Sequence, residues 1–281
     1  MQIVDYHVHS AWSPDSRMSV RKALNYCREN HVKEIVFTEH LDMGDPGQIP
    51  YLDLSSYLVD IEASKLEYPD IIIGCGLELG MHPGNIKATE TYIHPYEWDF
   101  LIMSVHQYEN IGFCDPMLLQ RFEKQEILDK YWNAWFYNVE HFKDFHVLGH
   151  LDYLLRYQPI SIEEFEVWTE PKDAMLKRLI ERGQGIEINA KGIKSLGRPH
   201  PSLNILRRYK ALGGEIVTLG SDAHSVSNIA RHFDTISQYL KEAGFNYFAR
   251  RDFEKKEFYF EKLCIENYAG VNSVNKSFLM E

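Results

Sequence analysis

The chain has 281 residues, of which 44% are hydrophobic and 13% aromatic, so it is long enough to bury a large core as one globular domain. Its formal net charge of -11 argues against a partner held through many phosphate contacts, and we expect no binding to nucleic acid. Because we find no run of about 18 apolar residues and no secretory leader, we expect a soluble, cytoplasmic protein with no membrane partner.

Short runs rich in Val, Ile and Phe alternate with longer amphipathic stretches, which is typical of repeated strand-helix units around a parallel sheet. The sequence predicts seven strands, at residues 3–6, 34–38, 71–75, 100–104, 146–148, 185–188 and 215–219. It predicts helices, several opened by Ser, Asp or Pro, at residues 19–30, 54–66, 123–142, 171–181, 201–212 and 227–243. Gly183 and Gly213 stand where two helices should end.

After Gly244 the sequence becomes aromatic, charged and partly alternating, which favours a closing hairpin. No internal repeat or flexible linker divides the chain. We therefore expect residues 1–266 to form a single barrel-like domain and residues 267–281 to form a polar tail without chemistry.

Four scattered cysteines, Cys27, Cys75, Cys114 and Cys264, have no C-x-x-C spacing. This pattern indicates neither a disulfide framework nor a thiolate zinc site. We interpret all four as reduced core residues.

The most informative of the thirteen histidines fall at the ends of predicted strands. The first strand ends in His7-Val8-His9, where the two-residue period of a strand points both imidazoles to the same side. By itself an H-x-H pattern is weak evidence for a metal. Metal-type ligands also follow five further strands: Glu39-His40, Glu78, His106, His150 followed by Asp152, and Asp222-Ala223-His224.

Each of these residues also has a structural interpretation, because a histidine can cap backbone groups, Glu78 can be solvated and Asp222 can cap a helix. The set as a whole is harder to explain in that way. A barrel brings its strand ends to one mouth, where six imidazoles and several carboxylates would lie without a charge partner. Bound divalent cations would supply that partner.

The same residues resemble the successive motifs of the PHP (polymerase and histidinol phosphatase) family. The likeness spans about residues 1–225 in the family's order, and it is greatest to the short, stand-alone histidinol-phosphatases. It implies a distorted TIM-like (β/α)7 barrel of mostly parallel strands, with the metal site at their C-terminal mouth. The motifs are His7-Val8-His9, Asp15, Glu39-His40, Glu78 in GLELG, His106 in SVHQ, His150 in GHLD and SDAH at 221–224.

The resemblance implies three divalent metal ions, with Glu78 bridging two of them. Some relatives have a histidine where this chain has Asp15, so the third ligand set differs among them. Imidazole and carboxylate ligands without thiolate suit Zn²⁺, Mn²⁺ or Fe²⁺, and the sequence does not choose among these. The implied sets are His7, His9, Glu78 and Asp222 for the first ion, Glu78, His106 and His150 for the second, and Asp15, His40 and His224 for the third.

The activity implied is hydrolysis of L-histidinol phosphate, a small phosphate ester of histidine biosynthesis, by attack of a metal-bridging hydroxide. Three divalent cations would exceed the charge of their ligand carboxylates by about three, so a phosphate dianion could bind despite the negative chain. The proton for the departing alcohol could come from a metal-bound water, from Asp222 or from His224.

Arg156 and Arg198 lie in loops expected at the same mouth. We predict that both bind phosphate and assist catalysis, because one guanidinium group can donate hydrogen bonds to two phosphate oxygens at once. A surface ion pair is the alternative for either arginine. Asn189 and Lys191 end the one strand that has no metal ligand. They could bind a substrate hydroxyl or phosphate, or be structural.

Further candidates follow from the substrate's shape and from the remaining histidines. The amine and imidazole of histidinol call for an acidic or aromatic surface, for which the loops offer Tyr108, Glu109, Phe113 and Tyr153. His82, His94 and His200 could contact substrate. Four others are expected to be structural: His31, His141, His146 and His232.

Three alternatives remain open from sequence. The chain could hydrolyse another small phosphomonoester or a phosphodiester, although its acidity disfavours the diester. It could be an amidohydrolase-type barrel, which also begins with H-x-H, or a non-catalytic metal-binding scaffold.

Overall fold

Seven parallel strands form a single sheet that curves almost to closure. The computed structural model describes residues 2–44, 51–108 and 111–263. The strands of this sheet are β1 Ile3–Val8, β2 Val32–Leu41, β3 Ile72–Gly80, β4 Phe100–Ser104, β7 Val147–Leu148, β8 Gly185–Asn189 and β9 Val217–Gly220, in that spatial order. The two edges approach where Val8 and Ala223 form a parallel bridge. The predicted seven-stranded barrel is confirmed.

The helices alternate with these strands and cover the outside of the barrel. The six predicted helices correspond to α1, α2, α5, α7, α9 and α10, while four shorter ones were not predicted. The bounds are α1 Val20–Glu29, α2 Leu54–Glu67, α3 Ile86–Ile93, α4 Leu118–Arg121, α5 Lys124–His141, α6 Ile162–Phe165, α7 Glu170–Glu181, α8 Gly192–Leu196, α9 Leu203–Ala211 and α10 Phe233–Glu242.

Local capping explains where several helices begin and end. The side chains of Ser19, Asp53 and Ser202 accept hydrogen bonds from backbone N–H groups in the first turns of α1, α2 and α9. Gly183 follows α7 with a φ of 67°, a left-handed conformation that suits glycine and ends a helix. Helix α10 starts later than predicted because His232 before it also has a positive φ.

Strands β2 and β3 extend further than the sequence predicted. Their ladder continues through the register pairs Glu39–Leu77, His40–Glu78 and Leu41–Leu79. His40 and Glu78 therefore lie inside strands, near their carboxyl ends, rather than in the loops that follow. Regular pairing fixes the direction of both side chains, which makes the site more rigid than a loop would.

A hairpin of β10 Tyr247–Asp252 and β11 Glu257–Lys262 closes the opposite end of the barrel, as predicted. Arg250 donates to Glu34 near the start of β2, and Arg251 Nε donates to Asp99 O just before β4 at 3.0 Å. Phe253 packs beneath Gly74 of β3. The hairpin thus covers the amino ends of the strands and leaves their carboxyl ends open.

Two further expectations concern cysteines and membranes. Cys27 and Cys75 are buried, but Cys114 is exposed, so its assignment to the core was wrong; Cys264 and the tail from residue 267 lie outside the described residues. Cys114 lies at the surface two residues after the small hairpin of β5 Gln107–Tyr108 and β6 Ile111–Gly112. None of the described helices is both long and apolar enough to cross a membrane.

Candidate metal centre and substrate cavity

Glu78, near the carboxyl end of β3, is the centre of a buried cluster of histidines. Its side chain is 1% exposed, and its Oε2 atom lies 3.3 Å from His7 Nε2 and 3.4 Å from His9 Nε2. The same oxygen is 3.0 Å from His40 Nδ1. His7 and His9 come from β1 and its end, His40 comes from β2, and Glu78 itself comes from β3. Three adjacent strands therefore supply this half of the cluster.

The other oxygen of Glu78 faces a second pair of histidines. Oε1 lies 3.2 Å from His106 Nε2 and 2.8 Å from His150 Nε2, and it accepts a hydrogen bond from Ser104 Oγ at 2.7 Å. His106 and His150 follow β4 and β7 by two residues each. Glu78 therefore presents one oxygen to each pair of Nε2 atoms.

A third group of possible ligands lies beside the first. The ring nitrogens of His9, His40 and His224 lie within 4.8 Å of one another. Asp15 Oδ2 is 2.8 Å from His224 Nε2 and 3.6 Å from His40 Nε2. This arrangement brings together the residues expected to hold the third ion, with His9 as an additional neighbour.

Asp222 connects the cluster to its positively charged surroundings. Its Oδ1 lies 3.6 Å from His9 Nε2 and 2.8 Å from Lys191 Nζ. Lys191 Nζ is also 3.0 Å from His224 Nδ1. Asp222 has a φ of 56°, a conformation that is rare for residues other than glycine and often marks a functional site.

Two buried carboxylates that the sequence analysis did not select orient the ligand histidines. Glu187 Oε2 lies 2.8 Å from His7 Nδ1, and Asp42 Oδ1 lies 2.7 Å from His106 Nδ1. Each contact leaves the Nε2 atom of its histidine directed at Glu78. Carboxylate-histidine pairs of this kind fix the tautomer and strengthen a metal ligand. A charged residue inside the apolar run of β8 was the signal that could have identified Glu187.

Close backbone approach at Gly80 makes room for one of these pairs. A Cβ atom at this position would lie 1.6 Å from Asp42 Oδ1 and 3.0 Å from His106 Nδ1. Any larger residue would therefore displace the Asp42–His106 contact. The second glycine of the GLELG motif, Gly80, therefore leaves the space that the Asp42–His106 contact occupies.

The cluster shifts the pKa values of its members in opposite directions. Burial opposes ionisation of Glu78, but the positive charges of His7, His106 and His40 hold its pKa well below the usual range. Burial also opposes a charge on His40, yet Glu78 and Asp15 raise its pKa to about 10. The pKa of His9 is lowered by burial and by the neighbouring His40 and His224.

These observations fit a metal centre. His7 Nε2 and His9 Nε2 lie only 3.0 Å apart, an arrangement that needs a shared proton or a cation between two lone pairs. Buried Glu78 Oε2, His40 Nδ1 and His224 Nε2 make no hydrogen bond of regular geometry among the described residues, although an oppositely charged group lies within 3.0 Å of each. The donors are imidazole and carboxylate groups, which suit zinc and neighbouring transition metals.

A cavity of about 710 Å³ opens beside Asp222 and is rich in positive charge. Arg156, Lys191, Lys194 and Arg231 line it, with Asp222 as its carboxylate. The excess of cations favours an anionic ligand in spite of the chain's negative charge. Arg156 and Lys191 are predicted from the sequence, whereas Lys194, three residues after Lys191, and Arg231 are not.

The structure places Arg198 and Asn189 differently from Arg156. Arg198 Nη1 lies 2.7 Å from Asp152 Oδ2, and Arg198 is not among the residues that line this cavity. Buried Asp152 also binds His200 Nδ1, so it belongs to a loop network and not to the ligand cluster. The amide of Asn189 donates to Glu187 Oε1 at 2.7 Å and accepts from Lys191 N at 2.9 Å.

Of the aromatic candidates for a histidinol pocket, Tyr153 lies nearest the cluster. Its ring centroid is 4.9 Å from that of His150 and 5.2 Å from that of His106. Phe113 is buried against Tyr131, so its proposed role at the mouth was wrong, since its ring is part of the core. Tyr108 lies half-buried, and Glu109 lies outside the described residues.

The remaining histidines lie in different settings. His82 is buried, and its Nδ1 accepts from Gly84 N at 3.1 Å in the turn after β3. His94 is exposed at the end of α3. His146, expected to be structural, accepts from Leu101 N at 2.8 Å at the start of β7. The other three lie at helix ends or turns: His31, His141 and His232.

Comparison with known proteins places this site in a family. The model of the PHP domain matches residues 5–191, which is more than half of the chain. The chain belongs to the PHP family. The matched segment contains seven of the nine predicted metal ligands of this PHP protein, whereas Asp222 and His224 follow β9 beyond it and join the site through barrel closure.

Relatives of this PHP protein carry consistent names. A histidinol-phosphatase of Lactococcus lactis subsp. lactis (strain IL1403) is 31% identical over 252 residues, covering 88% of this chain and 93% of that protein. A probable histidinol-phosphatase of Thermotoga maritima is 25% identical, covering 88% of this chain and 95% of the relative.

A solved structure shows the same architecture. The crystal structure of histidinol phosphate phosphatase from Lactococcus lactis subsp. lactis Il1403, complexed with zinc, L-histidinol and phosphate, superposes with a TM-score of 0.79 at 28% sequence identity. The alignment covers 92% of this PHP protein and 99% of that chain. Its length and fold therefore correspond closely to those of the relative.

Proposed function

We propose that this protein is a metal-dependent phosphomonoesterase that hydrolyses L-histidinol phosphate to L-histidinol and phosphate. The observation that carries the proposal is the Glu78-centred cluster of histidines beside a cation-lined cavity. The Lactococcus relatives, one of them solved with zinc, L-histidinol and phosphate, supply the substrate class. The proposed setting is histidine biosynthesis in the cytoplasm.

We further propose three metal positions. The two oxygens of Glu78 support the first two, because each faces its own pair of Nε2 atoms. The contacts of Asp15 with His40 and His224 support the third. Zinc is our first choice because the relative was solved with zinc, and imidazole and carboxylate ligands suit this ion. Manganese and iron are the alternatives.

The chain's own residues position the substrate and move protons. When bound, the metal ions would activate a water and neutralise the phosphoryl oxygens. Arg156 and Lys191, which line the cavity, hold the phosphate, and Arg198 assists after exchanging Asp152 for a phosphate oxygen. Asn189 orients Lys191 through its backbone N–H.

The proton required by the departing alcohol is assigned to Asp222 or His224. Lys191 Nζ lies within 3.0 Å of both residues and fixes their mutual orientation. In the reaction the water oxygen forms a bond to phosphorus while the bond to the alcohol oxygen breaks. A pH–rate profile that loses its alkaline limb in only one of Asp222→Asn and His224→Gln would identify the donor, because a general acid is active only while it is protonated.

The decisive experiment measures phosphate release from L-histidinol phosphate, an aryl phosphate and an aryl phosphodiester on one preparation, with metal content determined in parallel. We expect kcat/KM to be at least about a hundredfold higher for L-histidinol phosphate than for the aryl phosphate. Preference for another monoester, or for the diester, would replace the substrate while keeping the metal chemistry. Absence of hydrolysis in metal-loaded protein would refute the proposal.

A further inference from the structure

A second positively charged cavity lies at the end of the barrel opposite the metal centre. It has a volume of about 780 Å³ and opens between the hairpin β10–β11 and the starts of β7, β8 and β9. His146, Gln184 and Ile216, which line it, each immediately precede one of these strands. The clustered histidines lie at or just beyond the other ends of the strands, so the two cavities are separated by the length of the barrel.

The charge of this basal cavity is unbalanced. Lys143, Arg182, Arg251 and Lys256 line it, and Glu257 is the single carboxylate among its described lining residues. Lys256 pairs with an exposed glutamate on the surface. Within the described chain, the other three cations have no carboxylate oxygen within 4.0 Å. Such a concentration of unpaired cations is unexpected in a protein with a net charge of -11.

The two arginines are held in place by backbone groups and so are pre-organised. Arg251 Nε donates to Asp99 O, and Arg182 Nη1 donates to Val139 O. Both contacts leave other N–H groups of the guanidinium available. Partial burial lowers the pKa of Arg251 because water is removed from its charge and distant groups compensate only in part. A bound anion would supply the missing compensation.

Two neutral side chains of the same wall, Gln184 and His146, are also held in fixed orientations by hydrogen bonds. Gln184 is 95% buried, and its Nε2 donates to Lys143 O at 2.9 Å and to Phe145 O at 2.7 Å, which fixes the direction of the amide. Its Oε1 then has no hydrogen-bond partner among the described residues. His146 Nδ1 accepts from Leu101 N, so its proton must be on Nε2. The wall thus offers a neutral donor among its cations, while the Gln184 amide, whose Oε1 atom is fully buried, fixes the backbone of Lys143 and Phe145.

We propose that the basal cavity binds a small phosphate-bearing anion at a site separate from the metal centre. The guanidinium groups of Arg182 and Arg251 suit phosphate oxygens because each can donate two hydrogen bonds. Lys143 adds charge from the rim. His146 adds a neutral N–H donor to the wall. This inference does not depend on the activity at the other end of the barrel.

The test is equilibrium dialysis of the metal-loaded protein against radiolabelled inorganic phosphate, repeated with adenosine monophosphate as a larger probe. We expect two phosphate sites per chain in the wild type. The double change Arg182→Gln with Arg251→Gln should weaken one of them at least about tenfold while leaving KM for the phosphatase substrate unchanged. Tighter binding of adenosine monophosphate would identify the ligand as a phosphorylated metabolite, and tighter binding of phosphate would identify the free ion.

Two single substitutions at exposed positions, which should not disturb the fold, separate a loss of binding from a loss of structure. Lys143→Gln alters an exposed side chain without an ion pair and should weaken the same site by a smaller factor. Arg178→Gln, in the last turn of α7 just before Arg182, removes an exposed cation paired with Glu140 and should have no effect. Failure of the double variant to weaken any phosphate site of the wild type, or equal weakening by Arg178→Gln, would overturn the proposal. So would retention of both sites in the double variant.

Discussion

The two oxygens of Glu78 contact different histidines, so this residue can ligate two ions at once. A carboxylate in such a position must be ionised, and the surrounding imidazoles hold its pKa low enough to ensure this. It must also be immobile, which follows from its place inside the paired part of β3. The chemistry of the site therefore depends on both the charge and the backbone setting of one side chain.

Glu78→Gln tests this dependence because it keeps the size of the side chain and removes its charge. We expect loss of bound metal and a fall in kcat of roughly a thousandfold or more. Metal analysis and phosphate release on the same sample provide the measurement. Glu140→Gln, which alters an exposed ion pair on α5, is the matched control. Full activity with normal metal content in Glu78→Gln would disprove the assignment.

Glu187 acts through His7, since its Oε2 contacts the ring nitrogen that faces away from Glu78. For Glu187→Gln we expect zinc affinity to fall by about 10- to 100-fold, a usual effect of losing a carboxylate that orients a ligand histidine. Saturating zinc should restore most of kcat. Competition with a fluorescent chelator measures the affinity, with Glu181→Gln on the exposed face of α7 as control. An unchanged affinity would mean that Glu187 is only a packing residue.

At the level of secondary structure, the hairpin β10–β11 stabilises the barrel end that carries no chemistry. Arg250 Nη1 donates to Glu261 Oε2 at 2.6 Å, and its other nitrogens donate to buried Glu34. Glu34 also accepts from Tyr6 of β1. The hairpin is thus connected to β1 and β2 by a buried polar network, and removing one partner would leave an uncompensated charge.

Arg250→Met is expected to destabilise the protein by roughly 3–5 kcal/mol, because Glu34 would remain buried without its counter-ion. Urea unfolding of the metal-loaded protein measures the change. Arg21→Met removes an exposed ion pair with Glu67 and should cost less than about 1 kcal/mol. An equal loss of stability in the two variants would show that the buried network of Arg250, Glu34 and Tyr6 does not stabilise the hairpin on the barrel.

At the scale of the whole molecule, the fold reconciles a strongly acidic chain with an anionic substrate. Barrel closure brings β1 next to the loop after β9, which places His7 and His9 beside Asp222 and His224. The same closure gathers Lys191, Arg156 and Arg231 from separate loops around one cavity. Local positive charge therefore arises from tertiary structure in a protein whose overall charge is -11.

Metal affinity should increase with pH, because metal ions and protons compete for the same ring nitrogens. Burial disfavours charge on His40, but nearby carboxylates raise its pKa to about 10, and they raise the pKa of His7 and His106 as well. A ring whose pKa is raised holds its proton more tightly and must lose it to bind metal. Calorimetric titration with zinc in HEPES and in Tris should reveal proton release. An equal heat in both buffers would contradict this.

The same shifts determine how stability depends on pH in the metal-free protein. A histidine whose pKa is higher in the folded state stabilises the fold below its ordinary value of about 6.5, and this contribution is lost as pH rises towards the folded value. Thermal unfolding should therefore show metal-free protein losing stability between pH 7 and about 10. Zinc-loaded protein should lose less, since the ions replace the protons. Parallel decline of both forms would count against the coupling.

Much of the fold and of the site could be predicted from local sequence. Seven apolar runs at regular spacing indicate a parallel barrel because each run must be buried on both faces. Ligand-type residues at His7, His9, Glu78 and Asp222 stand near the ends of these runs, where a barrel places its site. Capping residues such as Ser19 and glycines such as Gly183 mark helix ends through interactions within a few residues.

Only the tertiary structure decided which side chains meet. Glu187 faces His7 across 180 positions of sequence, and Arg198 turns to Asp152 while Arg156 lines the cavity, because side-chain direction depends on packing between distant strands and loops. Phe113 entered the core and the basal cations gathered beneath the hairpin for the same reason. Local sequence determines the type and spacing of elements, whereas contacts between them are set when all seven strands close into one barrel.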